Sequence, residues 1–441
     1  MGSKDGWIGS PRGAGRLCRT ASRVGALLVS LAFIAGCGRE EGKPLVFAVG
    51  GVPAELAVWD SVIADFTART GHKVEILRQT ADSEQRRQGL LVALRADQPD
   101  PDVFLMDVAW ISQFAASGWL APVDSAVEPG ARFAGSADSA GFHEGRRMAL
   151  PVYVDGGLLY YRKDLLGKYG YGGPPETWDE LVKMSRRAQR DAERSLPYFY
   201  GYVWQGAQYE GLVCNFLEVA ASAGGGFRVE GGRVTVNLEP NVKALRFMRD
   251  LIRKHGVSPR STFTEMREEE VRQHFQRGDA FFERNWPYAW ALHQSEGSPV
   301  KGKVGIAPLP HFPGHSSAST LGGWHAGMSR SSDQPAAALA LVRYLVSLPV
   351  QKRLTLALGW NPGRRELYDD PEALARAPHL KELGPIFDHA EARPNLPYYT
   401  RLSEVLQRHL NRALAGQVEP AAALEAADAE MKAVTERYGL R

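Results

Sequence analysis

Several side chains in this sequence have the chemistry to hold a polar, ring-shaped molecule. Tyr153 and Asp155 sit two apart in the extended run Ala149-Leu150-Pro151-Val152-Tyr153-Val154-Asp155-Gly156-Gly157. Residues two apart on a strand project to the same side, so an aromatic face and a carboxylate point together. Glu55, the Arg86-Arg87 pair and Asp107 each come after a short apolar run, and Arg393 lies in a proline-stiffened stretch. Trp286 stands before Pro287, where an indole is hard to bury fully, and Trp324 follows the pair Gly322-Gly323. Carboxylates and guanidiniums make strong, charge-assisted hydrogen bonds to hydroxyls. Indole and phenol rings stack on apolar ring faces. The combination suits a neutral sugar. Each residue also has a plainer reading. Tyr153 reads as core, Asp155 as a turn residue, Glu55 as a first-turn acid favoured by the helix dipole, Asp107 as an N-cap, and the arginines as solvated.

The elements that would position these groups alternate. Leu45–Val49, Val74–Leu77 and Asp102–Met106 read as strands. Ala54–Thr70 and Asp82–Ala96 read as helices: Leu56, Trp59, Ile63 and Phe66 recur at three- and four-residue steps, and Gly71 stops the first. Alternation implies a parallel sheet with right-handed crossovers. Ligands of such sheets bind beyond the carboxyl ends of the strands, which puts Glu55, the arginine pair and Asp107 on one rim. A second unit begins after Asp155. There Thr177 and Glu180 form a capping box, Glu239–Lys254 and Glu268–Arg277 read as helices, and Ala280–Arg284 reads as a strand. Further helices are expected over 336–347, 351–357, 371–389 and from Leu402. Gly322-Gly323 beside Trp324 mirrors Gly156-Gly157, which predicts a second crossover strand. His311 and His315 lie four apart, but in a Pro/Gly loop. They read as solvated, because paired metal histidines normally share a helix face.

The start of the chain bears on the compartment. Lys4, Arg12, Arg16, Arg19 and Arg23 precede the apolar run Val24–Ala35 and then Gly36-Cys37. A basic segment, a short apolar run and small residues mark an export signal, and twelve residues are too few to span a bilayer. Ile34-Ala35-Gly36-Cys37 resembles a bacterial lipobox, which implies cleavage before Cys37 and lipid on its sulfur. The first 36 residues hold five basic and one acidic residue, more than the chain's net +3, so the remainder stands at −1. That argues against a nucleic-acid partner. No later run is long enough to cross a membrane. Past Cys37 only Cys214 remains, so no internal disulfide framework is expected. Roughly 400 residues exceed one ordinary core and call for two lobes.

The P-loop, dinucleotide, zinc-protease and nucleophile-elbow patterns are all missing, and no cofactor or catalytic metal is asked for. Two carboxylates suffice for a glycosidase, so an exported enzyme using two of Glu55, Asp107 and Asp155, about 5–10 Å apart, stays open. So does a module that presents sugar to a sensor.

Five stretches, in order, resemble the trehalose/maltose-binding proteins of bacterial and archaeal ABC importers. They are 101–110, the run around Asp155, Val203-Trp204-Gln205-Gly206-Ala207-Gln208-Tyr209-Glu210-Gly211, Arg284-Asn285-Trp286-Pro287-Tyr288-Ala289-Trp290, and Thr320-Leu321-Gly322-Gly323-Trp324-His325. The resemblance implies an α/β, two-lobed periplasmic-binding-protein fold of type II. Each lobe is expected as a mainly parallel sheet flanked by helices, joined by crossovers near Asp155 and Trp324. It implies a leader (1–36), a lipidated tether (37–43), one lobe of 44–154 plus about 325–372, and another of 155–324 plus about 373–441. It implies a monomer that does no catalysis, held at the membrane only by lipid or residing in the periplasm, and delivering a disaccharide to the permease subunits. Carried over by position, sugar contacts fall at Glu55, one of Arg86 and Arg87, Asp107, Tyr153, Asp155, Trp286, Gly323, Trp324, Arg393 and Tyr399. Gly156 stands where the family has alanine, which implies a looser hinge.

Overall fold

Two sheets, each covered by helices, divide the chain into two lobes. The computed structural model describes residues 43–192, 198–377, 380, 381, 383 and 390–438. The export signal, Cys37 and much of the helix expected over 371–389 lie outside the described residues.

The first sheet runs in the order Val74–Gln79, Leu45–Gly50, Val103–Asp107, Leu321–Ser329, Leu120–Ala121, and Ala149–Gly156 also pairs with Leu321–Ser329. Its first three strands are parallel. Leu321–Ser329 runs antiparallel between Val103–Asp107 and Ala149–Gly156, setting Trp324 opposite both Asp107 and Tyr153, and Gly322 opposite Asp155. Residues opposite one another in a ladder share a face. One register therefore gathers Asp107, Trp324 and Tyr153.

The second sheet runs Val304–Ala307, Leu158–Arg162, Ala280–Asn285, Tyr200–Val203. Only its last pair is parallel, so the sheets are mixed rather than mainly parallel. The reason is the path of the chain. Ala149–Gly156 and Leu158–Arg162 form one nearly continuous run that enters two sheets in turn. Such a run meets its neighbours head to tail without the long helical crossover that parallel pairing needs.

Helix ends follow the local chemistry. Gly71, at φ 77°, closes Pro53–Thr70 with its N–H on the Thr67 carbonyl. Asp82 caps Ser83–Arg95 by accepting from the Gln85 N–H at 2.9 Å. The Thr177 hydroxyl accepts from the Glu180 N–H, and Glu180 accepts from the Thr177 N–H, both at 3.3 Å, which completes the capping box. One core packs Phe47, Trp59, Phe66 and Leu341; the other packs Trp178, Phe216, Leu245 and Leu402. The helices Tyr399–Leu414 and Pro420–Tyr438 contribute to the second. His315 is exposed and His311 half-buried. Among the described residues no group of three or more His, Cys, Asp or Glu is arranged to hold a metal, and no helix is long and apolar enough to cross a membrane.

Candidate functional site

A cleft of about 860 Å³, measured out to its mouth, lies between the lobes. Its floor is the pair of long strands. Gly323 has φ +124°, and a Cβ there would sit 2.5 Å from the Tyr153 carbonyl oxygen, so only glycine fits. A Cβ on Gly322 would lie 3.1 Å from Trp286 Cζ3 and 3.2 Å from Asp155 Cβ. The bare glycine lets that ring and that carboxyl share one floor.

The first lobe supplies Glu55, Arg86 and Asp107. Glu55 accepts from the Val52 N–H at 2.9 Å at the start of its helix. Burial pushes its carboxyl up to about 7, against the pull of the Val52 N–H and Arg86. Arg86 is buried, with its guanidinium carbon 3.4 Å over the Trp324 ring and with Nε and Nη2 lacking a hydrogen-bond partner among the described residues. Burial brings it down to about 10, although Tyr153, Glu55 and Asp107 favour its charge. Asp107 caps the turn Val108–Trp110 through the Ala109 N–H at 2.8 Å and accepts from Arg393 Nη2 at 3.0 Å. Tyr153 packs against Trp360 with ring centres 4.0 Å apart and planes tilted by 33°. Trp324 meets the edge of Trp110 at 5.2 Å.

Asp155 is only 8% exposed, and its Oδ1 has no partner among the described residues. Burial, then the nearby Asp107 and Glu55, raise its carboxyl to about 8, with Arg284 pulling the other way. Trp286 donates from Nε1 to Glu268 at 3.4 Å. Arg284 is fully buried and does not line the cleft, yet its guanidinium carbon lies 3.9 Å over the Trp286 ring. It therefore backs the face turned from the cleft. Glu218 holds Arg284 through Nε at 2.9 Å and a second contact to Nη2, and it also accepts from the Thr320 N–H at 3.2 Å. A Cβ on Gly157 would fall 2.0 Å from Glu218 Oε1. The second glycine of the hinge run is thus the residue that admits this ion pair.

Arg393 is pinned by three acceptors: Asp107 Oδ1 at 3.0 Å, Glu210 Oε1 at 3.1 Å and the Leu321 carbonyl at 3.2 Å. Glu210 also accepts the Tyr399 hydroxyl at 2.7 Å and the Ser403 hydroxyl.

Nine of the expected residues line the cleft: Glu55, Arg86, Asp107, Tyr153, Asp155, Trp286, Gly323, Trp324 and Arg393. Arg87 and Tyr399 do not. They line a smaller neighbouring cavity, where Arg87 pairs with Glu84 and, at 3.1 Å, with Glu404 of the second lobe. Of the arginine pair, Arg86 lines the cleft and Arg87 the neighbouring cavity. Other lining residues were not anticipated, among them Glu210, Glu268, Glu269, Tyr288 and Trp360. Local signals existed for some. Glu210 opens the helix Glu210–Ala221, Glu268 and Glu269 open Glu268–Gln276, and Trp360 follows the left-handed helix stop Gly359.

Further contacts cross the cleft at its lip. Arg267 pairs with Asp82, and Thr400 donates to Gln113 at 3.0 Å. Among the described residues, the fully buried side-chain atoms of the cleft without a partner are an acceptor, Asp155 Oδ1, and donors, Arg86 Nε and Nη2 and Arg393 Nε. A hydroxyl, which both donates and accepts, answers both kinds at once.

The family model for bacterial extracellular solute-binding proteins matches residues 50–352. A probable ABC transporter-binding protein of Deinococcus radiodurans is 37% identical over 376 residues, which is 84% of this chain and 88% of that protein. Among solved structures, the maltose-bound MalE3 of T. maritima is similar at a TM-score of 0.83 and 40% identity, over 89% of this chain and 99% of that one. An ABC transporter solute-binding protein of Thermotoga lettingae, bound to α-D-tagatose, gives 0.80 and 28%, over 89% and 99%.

Proposed function

Since the chain belongs to the bacterial extracellular solute-binding protein family, we propose that it captures a disaccharide, trehalose or maltose or a near relative, and delivers it to the permease of an ABC importer. The observation that carries this reading is the unpaired set in the cleft: one buried carboxylate oxygen and two partly unsatisfied guanidiniums, with indole rings beside them. Sugar hydroxyls complete those hydrogen bonds, and the Trp286 face takes the apolar side of a ring.

Glu55, Arg86, Asp107 and Arg393 are assigned to hydroxyl recognition, as is Asp155. Tyr153, Trp286 and Trp324 are assigned to the ring faces, and Gly323 to close backbone approach. Arg87 and Tyr399 act indirectly, Tyr399 by sharing Glu210 with Arg393. The hinge is assigned to Gly156-Gly157 and the strand entering at Leu321. It separates 44–154 and about 325–372 from 155–324 and about 373–441. Sugar touching both lobes favours the closed state, so binding shifts a population that already exchanges. No chemical step is assigned to the carboxylates. The exported chain is anchored through lipid on Cys37, and it acts as a monomer.

Calorimetric titration with trehalose, maltose, sucrose and glucose tests the reading, with the recovered solution checked for cleavage. Micromolar or tighter binding of one disaccharide, recovered intact, is expected. Cleavage would establish the glycosidase instead, and no heat with any of the four would remove the disaccharide assignment. Mass spectrometry of the membrane fraction tests Cys37: an unmodified cysteine there refutes the anchor.

A further inference from the structure

Among the described residues, six carboxylates line the cleft (Glu55, Asp107, Asp155, Glu210, Glu268 and Glu269) against two guanidiniums, Arg86 and Arg393. The cations do not reach all of them. Arg393 bridges Asp107 and Glu210. Arg272, outside the cleft lining, pairs with Glu269 at 2.8 Å, and Tyr288 donates to Glu269 as well. Arg86 lies over the Trp324 ring and counters Glu55. Asp155 and Glu268 are left over. The cation that acts on both, Arg284, is tied to Glu218 in a buried pair. Among the described residues, Asp155 Oδ1 has no partner.

These two carboxyls stand at opposite ends of one indole. Asp155 meets the Cζ3 end of Trp286 across Gly322, and Glu268 accepts from Nε1 at the other. Tyr153, Tyr288, Trp324 and Trp360 line the same cleft. Aromatic faces beside carboxyls that have no cation of their own form a setting that attracts one.

Resting on the saccharide-binding reading above, we propose that the cleft selects a saccharide bearing a protonated amine, with its ammonium beside Trp286 between Asp155 and Glu268. A neutral sugar leaves the excess acid uncompensated. An ammonium offers Asp155 a charged donor where a neutral sugar offers a hydroxyl, and it adds its charge where, among the described residues, no free guanidinium stands. The upward displacement of Asp155, Glu55 and Glu268 by burial and by neighbouring acids has the same origin.

The test is a calorimetric titration of the purified protein with trehalose, maltose, their monoamino analogues with the amine at different ring carbons, and the N-acetyl derivative of each analogue. The acetyl group keeps the nitrogen and removes the charge. At least one amine is expected to bind tenfold or more tighter than both its parent and its N-acetyl form. The affinity ratio of that amine to its parent is expected to fall towards one in Glu268→Gln and in Asp155→Asn. If a parent disaccharide binds and every amine is equal or weaker, the amine proposal is overturned while the disaccharide reading stands. If neither parents nor amines bind, both are overturned. If the ratio persists in both variants, the placement beside Trp286 is wrong.

Discussion

Replacing Asp155 by asparagine is expected to make the empty protein more stable and the binding protein worse. The carboxyl is 8% exposed and its folded value stands at about 8, against 3.8 in an unstructured chain. A folded value raised in this way means that the folded state holds the proton more tightly than the unfolded one. The cost of ionising Asp155 is absent below the unfolded value, grows as pH rises, and is complete above about 8. A gap of about four units corresponds to on the order of 5 kcal/mol at alkaline pH, an upper bound because side chains relax around an ionised group. Asparagine keeps the shape and cannot ionise. Urea unfolding of the ligand-free protein should therefore show Asp155→Asn gaining on the wild type from about pH 5 to about pH 9, by on the order of 2–4 kcal/mol at the alkaline end. Disaccharide affinity should fall by about 1.5–3 kcal/mol, the worth of a hydrogen bond to a charged group. It should also rise less steeply with pH than in the wild type, where ligand donors favour the ionised carboxylate. A variant less stable than wild type at pH 8, or one that binds disaccharide unchanged, would refute the reasoning.

Trp286→Ala should cost about 1–3 kcal/mol of disaccharide affinity through lost ring contact, read by calorimetry, with the far-ultraviolet circular dichroism unaltered. Arg267→Gln removes an ion pair that spans the lip without touching the cleft lining. Disaccharide affinity should weaken about two- to fivefold, the worth of a part-exposed pair, and the salt dependence of affinity should flatten, read by titration at low and high salt. Glu218→Gln strands the Arg284 guanidinium in the interior, a loss of about 3–5 kcal/mol for an unpaired buried charge, measurable by chemical denaturation. Gly157→Ala is expected to destabilise by a comparable amount, because its Cβ would overlap Glu218.

What could be read from the sequence was whatever short-range rules determine. The Thr177 capping box, the glycine stop at Gly71 and the strand leading into Asp107 each depend on a few neighbouring residues. Nine of the eleven residues expected at the ligand line the cleft. Glu55, the Arg86-Arg87 pair and Asp107 were reachable from the alternation of strands and helices, because that pattern alone says which end of a sheet is open. The antiparallel strands of the second sheet were not legible, since their direction depends on where the chain returns from. Glu210 and Trp360 were missed for the same reason. Each follows a local signal, but nothing nearby says that Arg393, 183 residues on, will dock on Glu210, or that Trp360 will lie on Tyr153. Arg87 and Tyr399 line the cavity next to the cleft, and position along the chain does not reveal which of the two a side chain faces.

The plain and the functional readings of the wall residues prove not to be alternatives. Asp107 caps a helical turn through the Ala109 N–H and also holds Arg393. Glu55 satisfies the N–H at a helix start and faces the cleft. Asp82 caps Ser83–Arg95 and grips Arg267 across the lip. The coincidence has a geometric cause. Where a strand hands the chain to a helix, the unpaired N–H groups of the first helical turn open onto the rim on which a ligand rests. The acids that satisfy those groups are therefore the acids nearest the ligand. A carboxylate has two oxygens with about four acceptor sites, so it can cap with one and bind with the other. This explains why the first lobe can build its wall from residues whose local role is already fixed. Asp155 lies on the strand Ala149–Gly156 with no helix to cap, and among the described residues its Oδ1 is left unanswered.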